Sequence, residues 1–506
     1  MSDNRLDRRA FLRMAGGAGL GGAVALGWPG PAAAAASPRP SIFDLRFRLT
    51  HQYRPFALLA PGFEQHDAPG GRPAGLVRTN AGPVAPFAAV VLNVAQHDPE
   101  ATLLAGLVQD ENNSVLAVHD AAARRVRIEV TRGGSRRVVG EVERTLTAPF
   151  AFAFVVCENQ VTVLVDEGSG FQPLLTRRGQ VSALVDLRRP DVLAAHRYGY
   201  GVRGAGSVTL SRARAGYFGQ AGVRDPHVVQ WPDGTPYIRD GKLYLTLTNA
   251  GLGFFQQAHW GVWTLDLADP TKLEQVANLY FARDGVIVGD HAGQIVYDGG
   301  VFHLAMSSWG DFAFRGVHIR YATVAANVLS GVHVIPTRRL PLPTTQSSWD
   351  PALTRIRGRW HVGFVESPSQ TPFSFHPALA VGRPGGGFDE GLVLAGRDDS
   401  VDQTEGTILQ KVFHRWYLLA SDGDARRYRV YDLNVRHLGY LNAPYGTNIP
   451  HPMVVPIPER GRTRWMMLTF DGTQYAEPVL GYGGHGDFLV MEAGRTRGQE
   501  FPPRRP

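Results

Sequence analysis

The sequence contains one cysteine and three lysines among 506 residues, and both shortages exclude kinds of structure and function. With Cys157 alone, neither an intramolecular disulfide nor a cysteine-based metal site can form, and we expect a buried free thiol. The basic residues are almost all arginines that are scattered along the chain, with no basic run interleaved with aromatic residues. Despite the formal charge of +7, the scattered arginines therefore predict no nucleic-acid binding.

The sequence also lacks long helical periodicity and long hydrophobic runs. Beyond the N-terminal region no stretch reaches the roughly 18 uninterrupted apolar residues of a membrane-spanning helix, so we expect no membrane anchor. At 506 residues the chain exceeds what one hydrophobic core usually supports, so two domains are expected. No oligomeric state is predicted.

The N-terminal region carries a targeting pattern. Residues 7–13 read DRRAFLR, a Gly/Ala-rich apolar stretch follows to Trp28, and small residues continue through Ala36. This order resembles a twin-arginine signal peptide, which we assign to residues 1–36. The resemblance implies export of the folded protein, which would be secreted or reside in the periplasm or cell wall.

Residues 41–219 show short β-type runs bounded by Gly, Asp and Asn. Examples are Ala88–Val94, Val126–Val130 and Val161–Val165. The pattern predicts a β-sandwich of jelly-roll type and resembles the concanavalin or laminin-G modules. Such a module either binds carbohydrate or braces a neighbouring domain, and the sequence leaves both hypotheses open.

Residues 220–495 contain one unit that recurs five times. Each copy opens on a polar residue, runs into a short apolar strand, turns, and resumes with an aromatic-containing strand. The openings fall at Asp225, His291, Asp350, Glu405 and His451. The repeat predicts a five-bladed β-propeller and hence an all-β protein, with residues 496–506 as a flexible tail. Because the innermost strands of a propeller begin at one end of its axis, we expect these five side chains to converge.

Three of the converging residues are carboxylic acids. Carboxyl groups that share a cleft repel one another, so one pKa should rise while another stays low. Glycoside hydrolysis needs such a pair, an acid that protonates the leaving oxygen and a carboxylate that activates water. A single Asp-Pro often only starts a turn, but joint occurrence at repeat openings favours a functional role.

The openings carry a family resemblance across about residues 221–495. The Arg-Asp-Pro at 224–226, the Asp-Pro at 350–351 and the Glu-Gly at 405–406 resemble glycoside hydrolase family 43. Thr407 departs from the pattern, because the family often has proline there. The resemblance implies a five-bladed hydrolase that acts on furanosidic linkages, with arabinofuranose-containing polysaccharide or oligosaccharide as the favoured substrate.

The resemblance also implies roles for the three acids. Asp225 corresponds to the general base, Asp350 to the residue that tunes and orients the acid, and Glu405 to the general acid. The family inverts the anomeric centre, so we expect inversion rather than retention, and no cofactor is required.

Further candidates surround the acids. Arg224 and His291 are expected to bind the substrate, and Trp309, Trp349 and Trp260 are candidates to stack against a sugar ring. The rim of the cleft is expected from segments 251–260, 311–315 and 367–376.

His451 has two interpretations: a ligand of a structural calcium or water cluster on the propeller axis, or a hydrogen-bonded core histidine.

Three other functions compete with the hydrolase. The first is a carbohydrate-binding or scaffolding propeller without catalysis. A sialidase-like hydrolase would show Ser-x-Asp-x-Gly-x-Thr-Trp turns, which the sequence lacks. A nuclease or phosphatase would need a denser Asp/His metal set.

Overall fold

The computed structural model describes residues 40–312, 316–473 and 486–497 of a chain that is almost entirely β-structure. Its only α-helices within these ranges are α1 (Gly179–Ser182) and α2 (Pro190–Ala195), and two 3-10 turns span Ile42–Asp44 and Phe255–Gln257. The all-β fold class predicted from the sequence is confirmed. No helix in the described ranges is long and apolar enough to cross a membrane. The predicted signal peptide and most of the predicted tail lie outside the described residues.

The strands fall into two sets along the chain. The first set is β1 (Arg48–Tyr53), β2 (Ala57–Gly71), β3 (Leu76–Arg78), β4 (Phe87–His97), β5 (Thr102–Asp110), β6 (Asn113–Asp120), β7 (Arg125–Arg132), β8 (Ser135–Glu143), β9 (Phe150–Cys157), β10 (Gln160–Asp166), β11 (Gln172–Arg177), β12 (Arg197–Arg203) and β13 (Val208–Gln220). The second set is β14 (Val223–Val228), β15 (Ile238–Arg239), β16 (Lys242–Asn249), β17 (His259–Asp266), β18 (Leu273–Arg283), β19 (Val286–Val288), β20 (His291–Asp298), β21 (Val301–Ser307), β22 (Ile319–Val324), β23 (Gly331–Pro336), β24 (Arg338–Arg339), β25 (Ser347–Ile356), β26 (Arg359–Gln370), β27 (Phe373–Val381), β28 (Val393–Arg397), β29 (Thr404–Val412), β30 (Arg415–Asp422), β31 (Arg427–Tyr431), β32 (His437–Tyr440), β33 (Met453–Glu459), β34 (Arg462–Asp471) and β35 (Asp487–Arg497).

The first set forms two six-stranded antiparallel sheets around one core. Their strand orders are β11-β10-β9-β4-β13-β2 and β3-β12-β5-β6-β7-β8. Side chains from both sheets meet in a single hydrophobic cluster, for example Leu92 of β4 with Leu103 of β5. Alternation along each strand explains this, because every second side chain points to the same face.

Strand β4 is buried on both faces, which explains why its sequence reads as a continuous apolar run. Val90 and Leu92 face the core between the two sheets. Ala89 and Val91 face the other way and share a second cluster with Tyr280 of β18. This sheet therefore packs directly against the second set of strands.

The second set forms a ring of antiparallel sheets that each begin with an inner strand. The described sheets run β14-β16-β17-β18-β19, β20-β21-β22-β24, β25-β26-β27-β28, β29-β30-β31-β32 and β33-β34-β35-β1, with β15 and β23 attached to the first. Inner strands of successive sheets contact one another in the order β14, β20, β25, β29, β33 and back to β14. Such a closed ring is the arrangement of a β-propeller. The number of blades stays a prediction, because residues 474–485 lie outside the described ranges.

One strand lies in a different sheet from the one expected. The sequence places residues 41–53 in the sandwich, but β1 pairs with β35 as the outer strand of the last propeller sheet. Leu45 and Phe47, just before β1, pack in the same cluster as Trp465 of β34. The prediction was wrong here because the partner lies more than 400 residues away and local pattern cannot reveal it. Closure by the N-terminal segment covers an edge that would otherwise be open.

The position of this segment can be tested with two matched leucines. Leu45 is 2% exposed in the propeller core, whereas Leu49 on β1 is 44% exposed. Leu45→Ala should lower the free energy of unfolding by about 2–5 kcal/mol through lost burial and cavity formation, and Leu49→Ala by less than about 1 kcal/mol. Urea unfolding followed by tryptophan fluorescence measures both. Equal losses would contradict the placement of residues 41–53 in the propeller.

Candidate active site

Each of four inner strands opens with a β-bulge at the same place. Register breaks occur after Arg224 in β14, His291 in β20, Trp349 in β25 and Glu405 in β29. The next residue in each case has a left-handed backbone, and these residues are Asp225 (φ 50°), Ala292 (φ 52°), Asp350 (φ 52°) and Gly406 (φ 71°). Bulges next to active sites re-aim side chains, and left-handed non-glycine residues mark strained functional positions.

The bulges show that two of the repeat openings are offset by one residue from the alignment expected from the sequence. Asp225 and Asp350 occupy the bulge itself, whereas His291 and Glu405 come one residue earlier, at the position of Arg224. The prediction that all the openings are equivalent was wrong in this detail. Gly406 was the available signal, because Asp and Gly both tolerate a left-handed backbone and Glu does not share that preference.

The openings enclose one cavity of about 190 Å³ at the end of the ring. Its walls include every site residue named from the sequence except Trp260, namely Arg224, Asp225, His291, Trp309, Trp349, Asp350, Glu405 and His451. Residues spread over more than 220 positions are thus brought together, as a propeller requires.

His451 lies between two of the carboxyl groups. Its Nε2 atom is 3.5 Å from Asp225 Oδ1 and 3.4 Å from Asp350 Oδ2. Burial lowers the pKa of His451 to about 4 despite the opposing charge of Asp225, so its imidazole is neutral at neutral pH. A neutral ring carries one N–H at most on Nε2, so His451 can donate to only one of the two acids at a time.

Asp350 is held by the backbone of the next blade. The Gly406 N–H donates to Asp350 Oδ2 at 2.9 Å, and the Ser307 hydroxyl oxygen accepts from the Asp350 N–H at 2.9 Å. Burial, followed by the negative charges of Glu405 and Asp225, raises the pKa of Asp350 well above its usual value. Asp350 therefore keeps its proton to higher pH than a solvent-exposed aspartic acid does.

Glu405 is oriented by an indole. The Trp349 Nε1–H donates to Glu405 Oε2 at 3.0 Å, and Trp349 itself is 1% exposed. Burial raises the pKa of Glu405 to about 7, against the lowering effects of Arg224 and of the Trp349 hydrogen bond. Trp349 was expected to stack on a sugar, and the structure gives it a hydrogen bond to the acid.

Asp225 shows the opposite shift. Burial would raise its pKa, but the neighbouring His451 and Arg224 outweigh burial and lower it. The Arg224 guanidinium lies 3.9 Å from Asp225 Oδ1 and 4.7 Å above the Phe470 ring centre. The pocket therefore contains an ionised Asp225 beside a Glu405 that can stay protonated, which is the division a general base and a general acid require.

His291 lines the pocket, but both its ring nitrogens already have protein partners. Its Nε2–H donates to the Phe255 carbonyl at 3.1 Å, and Thr248 Oγ1 lies 3.4 Å from Nδ1. Burial lowers its pKa. These contacts hold the loop around Phe255, while a sugar contact by His291 stays a prediction.

Trp260 does not reach the pocket. It is 0% exposed and packs in a core cluster with Val229 and Leu304, so the expectation that it stacks against a sugar was wrong. The sequence around Trp260 does not indicate which face of the strand its side chain occupies. Trp309, in contrast, lines the cavity, with its ring 4.6 Å from Phe255 and 5.6 Å from Trp349.

Four phenylalanines that the sequence analysis did not name individually form an aromatic wall of the cavity. Phe254, Phe255, Phe373 and Phe375 line the cavity, from two of the three segments expected at its rim. The third segment behaves differently, because Asp311 forms an ion pair with Arg283 and residues 313–315 lie outside the described ranges.

The described residues offer no metal centre. No group of three or more His, Cys, Asp or Glu side chains in these ranges is placed to hold a metal ion. Calcium takes six to eight oxygen ligands, whereas His451 presents a ring nitrogen at 3.5 Å from Asp225 Oδ1 and 3.4 Å from Asp350 Oδ2. The donors around His451 do not fit calcium.

Comparisons with known proteins give remote matches only. No family model and no curated protein matches the chain. Among solved structures, a GH43_1 enzyme from Xanthomonas citri matches with a TM-score of 0.38 and 17% identity over 53% of this chain and 87% of that one. CoXyl43, a GH43 β-xylosidase/α-arabinofuranosidase from a compost metagenome, matches with a TM-score of 0.35 and 15% identity over 53% of this chain and 90% of that one. Bacillus subtilis levansucrase matches with a TM-score of 0.40 and 9% identity over 55% of this chain and 84% of that one. At these values nothing about the activity of this chain follows from them.

The packing of His451 on Gly406 can be tested with a matched glycine. A Cβ on Gly406 would lie 2.4 Å from His451 Cδ2, whereas one on Gly358, which has a similar φ of 75°, would meet nothing within 4 Å. Both alanine substitutions cost about 1–2 kcal/mol for the left-handed backbone, but only Gly406→Ala must also displace His451. Gly406→Ala should therefore lower the melting temperature clearly more than Gly358→Ala. Equal shifts would contradict this packing.

Proposed function

We propose that this protein is a glycoside hydrolase that uses Asp225 as general base and Glu405 as general acid. The observation that carries the proposal is the opposed pair of pKa shifts in one pocket, lowered for Asp225 and raised to about 7 for Glu405. Groups whose environments push their pKa values apart identify an acid and a base. An aromatic wall beside them suits a sugar ring, whose apolar face packs on aromatic side chains.

In the proposed mechanism the ionised Asp225 removes a proton from a water molecule that attacks the anomeric carbon. Glu405 gives its proton to the glycosidic oxygen as the bond to the leaving sugar breaks. Asp350 bridges the Gly406 backbone and the His451 ring, so it acts as a positioning residue for the strand that carries Glu405. Direct attack by water inverts the anomeric configuration.

We further propose an arabinofuranose-type linkage in a polysaccharide or oligosaccharide, on the strength of the sequence motifs at 224–226, 350–351 and 405–406. A xylose-containing substrate is the second choice and belongs in the same assay. Export by the twin-arginine pathway, supported by residues 7–13, would bring the enzyme to such a polymer.

The sandwich is proposed to brace the active site. The Gln160 side chain donates to the Leu252 carbonyl, and Arg178 donates to Gln256 at 3.4 Å. Both partners belong to the loop that carries Phe254 and Phe255 into the cavity. Of the two hypotheses left open by the sequence, these contacts favour bracing over sugar binding.

The acid and base assignment predicts two distinguishable variants. Asp225→Asn and Glu405→Gln should each lower kcat by about 10²–10⁴-fold on arabinan, arabino-oligosaccharides or xylan, because each removes one proton transfer. A substrate with a 2,4-dinitrophenyl leaving group needs little protonation, so it should restore most of the rate of Glu405→Gln but not of Asp225→Asn. Released sugar and phenolate measure the two cases.

The control for both variants is an exposed acid outside the cavity wall. Glu274→Gln changes an acid on an outer strand whose side chain is 61% exposed, and it should leave kcat unchanged. Full activity of Glu405→Gln on natural substrate would exclude the assignment. Tight oligosaccharide binding by wild type without product would favour the non-catalytic propeller instead.

The raised pKa of Glu405 predicts the alkaline limb of the pH profile. The acid must be protonated, so kcat/KM should fall as pH rises through about 7. Asp225 must be ionised and its pKa is lowered, so the acidic limb should lie below the usual aspartate range. The Trp349 hydrogen bond lowers the pKa of Glu405, so Trp349→Phe should move the alkaline limb to higher pH. Trp260→Phe, in the core, should leave the limb in place; a downward shift in Trp349→Phe would contradict the hydrogen bond's role.

A further inference from the structure

The loop that carries Trp309 into the cavity wall is attached to a buried group of charges. Arg283, the last residue of β18, donates from Nε and Nη2 to the two carboxylate oxygens of Asp290, at 2.6 and 2.9 Å. The same guanidinium donates from Nη1 and Nη2 to the two oxygens of Asp311, which belongs to the loop, at 2.8 and 2.6 Å. We name Arg283, Asp290 and Asp311 the arginine clamp.

The clamp joins two segments that each supply a residue to the cavity. Asp290 immediately precedes His291, the first residue of β20, and both His291 and Trp309 line the cavity. Asp290 Oδ1 also accepts from the Gly310 N–H at 3.0 Å. The buried acid therefore holds the loop directly by its backbone and indirectly through Arg283.

Gly310 shows how closely the loop packs on its support. A Cβ at this position would lie 2.6 Å from Val288 Cβ, 3.0 Å from Asp290 Oδ1 and 3.1 Å from Glu158 Oε1. Glu158 belongs to the turn between β9 and β10 of the sandwich, and burial raises its pKa well above the usual value. The loop thus lies directly against the clamp and against an acid of the sandwich that keeps its proton.

The burial of the clamp needs a reason, because charged groups lose hydration when they leave water. The side chains of Arg283 and Asp290 are 2% and 0% exposed. A buried ion pair is often no better for stability than apolar residues of the same volume, so its value lies in specifying one arrangement. The planar fork of a guanidinium suits this role, because paired hydrogen bonds to a carboxylate fix both distance and angle.

The aromatic wall of the cavity depends on the same loop. The Trp309 ring lies 4.6 Å from Phe255 and 5.1 Å from Phe312. The Phe312 carbonyl accepts from the Gln256 side chain, which joins this loop to the one around Phe255. A displacement of the loop would therefore disturb Trp309 and Phe255 together.

We propose that Arg283, through Asp290 and Asp311, is a positioning residue that fixes Trp309 in the aromatic wall and so strengthens sugar binding in the cavity. The proposal rests on the proposed hydrolase function for its ligand. Arg283 is not among the described residues that line the cavity, so it acts through Trp309 and takes part in no chemical step.

The kinetic test removes the solvent-facing carboxylate of the clamp. Asp311→Asn leaves the buried Arg283–Asp290 pair intact, and the Asp311 side chain is 44% exposed, so the variant should fold. Loosening an aromatic contact should raise KM about 3- to 10-fold, whereas kcat should change less than KM. Kinetics are measured on whichever of arabinotetraose and xylotetraose wild type cleaves. Asp284→Asn is the matched control, because Asp284 lies 3.4 Å from Arg283 but outside the loop, and KM should not change.

A double-mutant cycle separates positioning from a general loosening of the structure. In a Trp309→Ala background, Asp311→Asn should raise KM by less than about 2-fold, because the side chain that the clamp positions is gone. An equal rise of KM in both backgrounds overturns the proposal.

The position of Trp309 can also be measured without a substrate. The nine tryptophans are replaced by 5-fluorotryptophan, and the fluorine resonances of Trp309 and Trp260 are assigned with Trp309→Phe and Trp260→Phe. Asp311→Asn should shift the Trp309 resonance and leave that of Trp260 in place, whereas Asp284→Asn should move neither. An unmoved Trp309 resonance overturns the clamp whether or not the protein is a hydrolase.

The remaining outcomes separate the clamp from the function on which it rests. A shifted Trp309 resonance with an unchanged KM overturns the role of the clamp in sugar binding and leaves the hydrolase intact. If wild type cleaves neither tetraose, the proposed function fails, and the calorimetric Kd for the two tetraoses replaces KM. Weaker binding by Asp311→Asn then supports the clamp, whereas equal binding, or no binding by wild type, overturns its role in sugar binding.

Discussion

Three carboxyl groups cannot all ionise in one desolvated pocket, and the arrangement of this site follows from that constraint. The structure meets it by giving each acid a different partner. Asp225 lies beside His451 and the Arg224 cation, Asp350 accepts from the Gly406 N–H, and Glu405 accepts from the Trp349 N–H. His451 and Arg224 together outweigh burial at Asp225 and lower its pKa, whereas burial outweighs the lowering effects at Asp350 and Glu405, so the three pKa values separate. His451 is neutral and adds no charge of its own at neutral pH.

The backbone that carries these acids is strained, because it must direct their side chains into one pocket. A regular inner strand would direct alternate side chains toward neighbouring blades, with no pair aimed together at the end of the axis. The bulges at Asp225, Ala292, Asp350 and Gly406 change that direction at one level of the ring. Left-handed non-glycine residues cost of order 1–3 kcal/mol each, and the packed sheets on either side must offset this cost. The His451 ring against Gly406 shows how little room the arrangement leaves.

Much of the architecture could be predicted from the sequence because it is repetitive and locally patterned. The all-β class follows from short apolar runs, and the convergence of Asp225, Asp350 and Glu405 follows from their place in repeats. The one-residue offset of Glu405 could not be predicted from spacing alone, because it depends on backbone torsions. Likewise β1, with the sequence RLTHQY, has no apolar alternation that indicates its partner β35. Trp260 and Trp309 look alike as sequence, and only the tertiary packing separates a core residue from a pocket wall.

The sandwich and the pocket are mechanically one structure. Strand β4 is buried on both faces, so the sheet that contains it cannot move against β18 without exposing apolar surface. From the same sheet, Gln160 holds the Leu252 carbonyl in the loop that brings Phe255 to His291. His291 in turn shares Thr248 with the bulge, because the Ala292 N–H donates to Thr248 Oγ1 at 3.2 Å. A continuous set of contacts thus runs from the sandwich to the strained backbone beside Asp225. The proposed base Asp225 is therefore linked through contacts to a module that contributes no residue to the cavity wall.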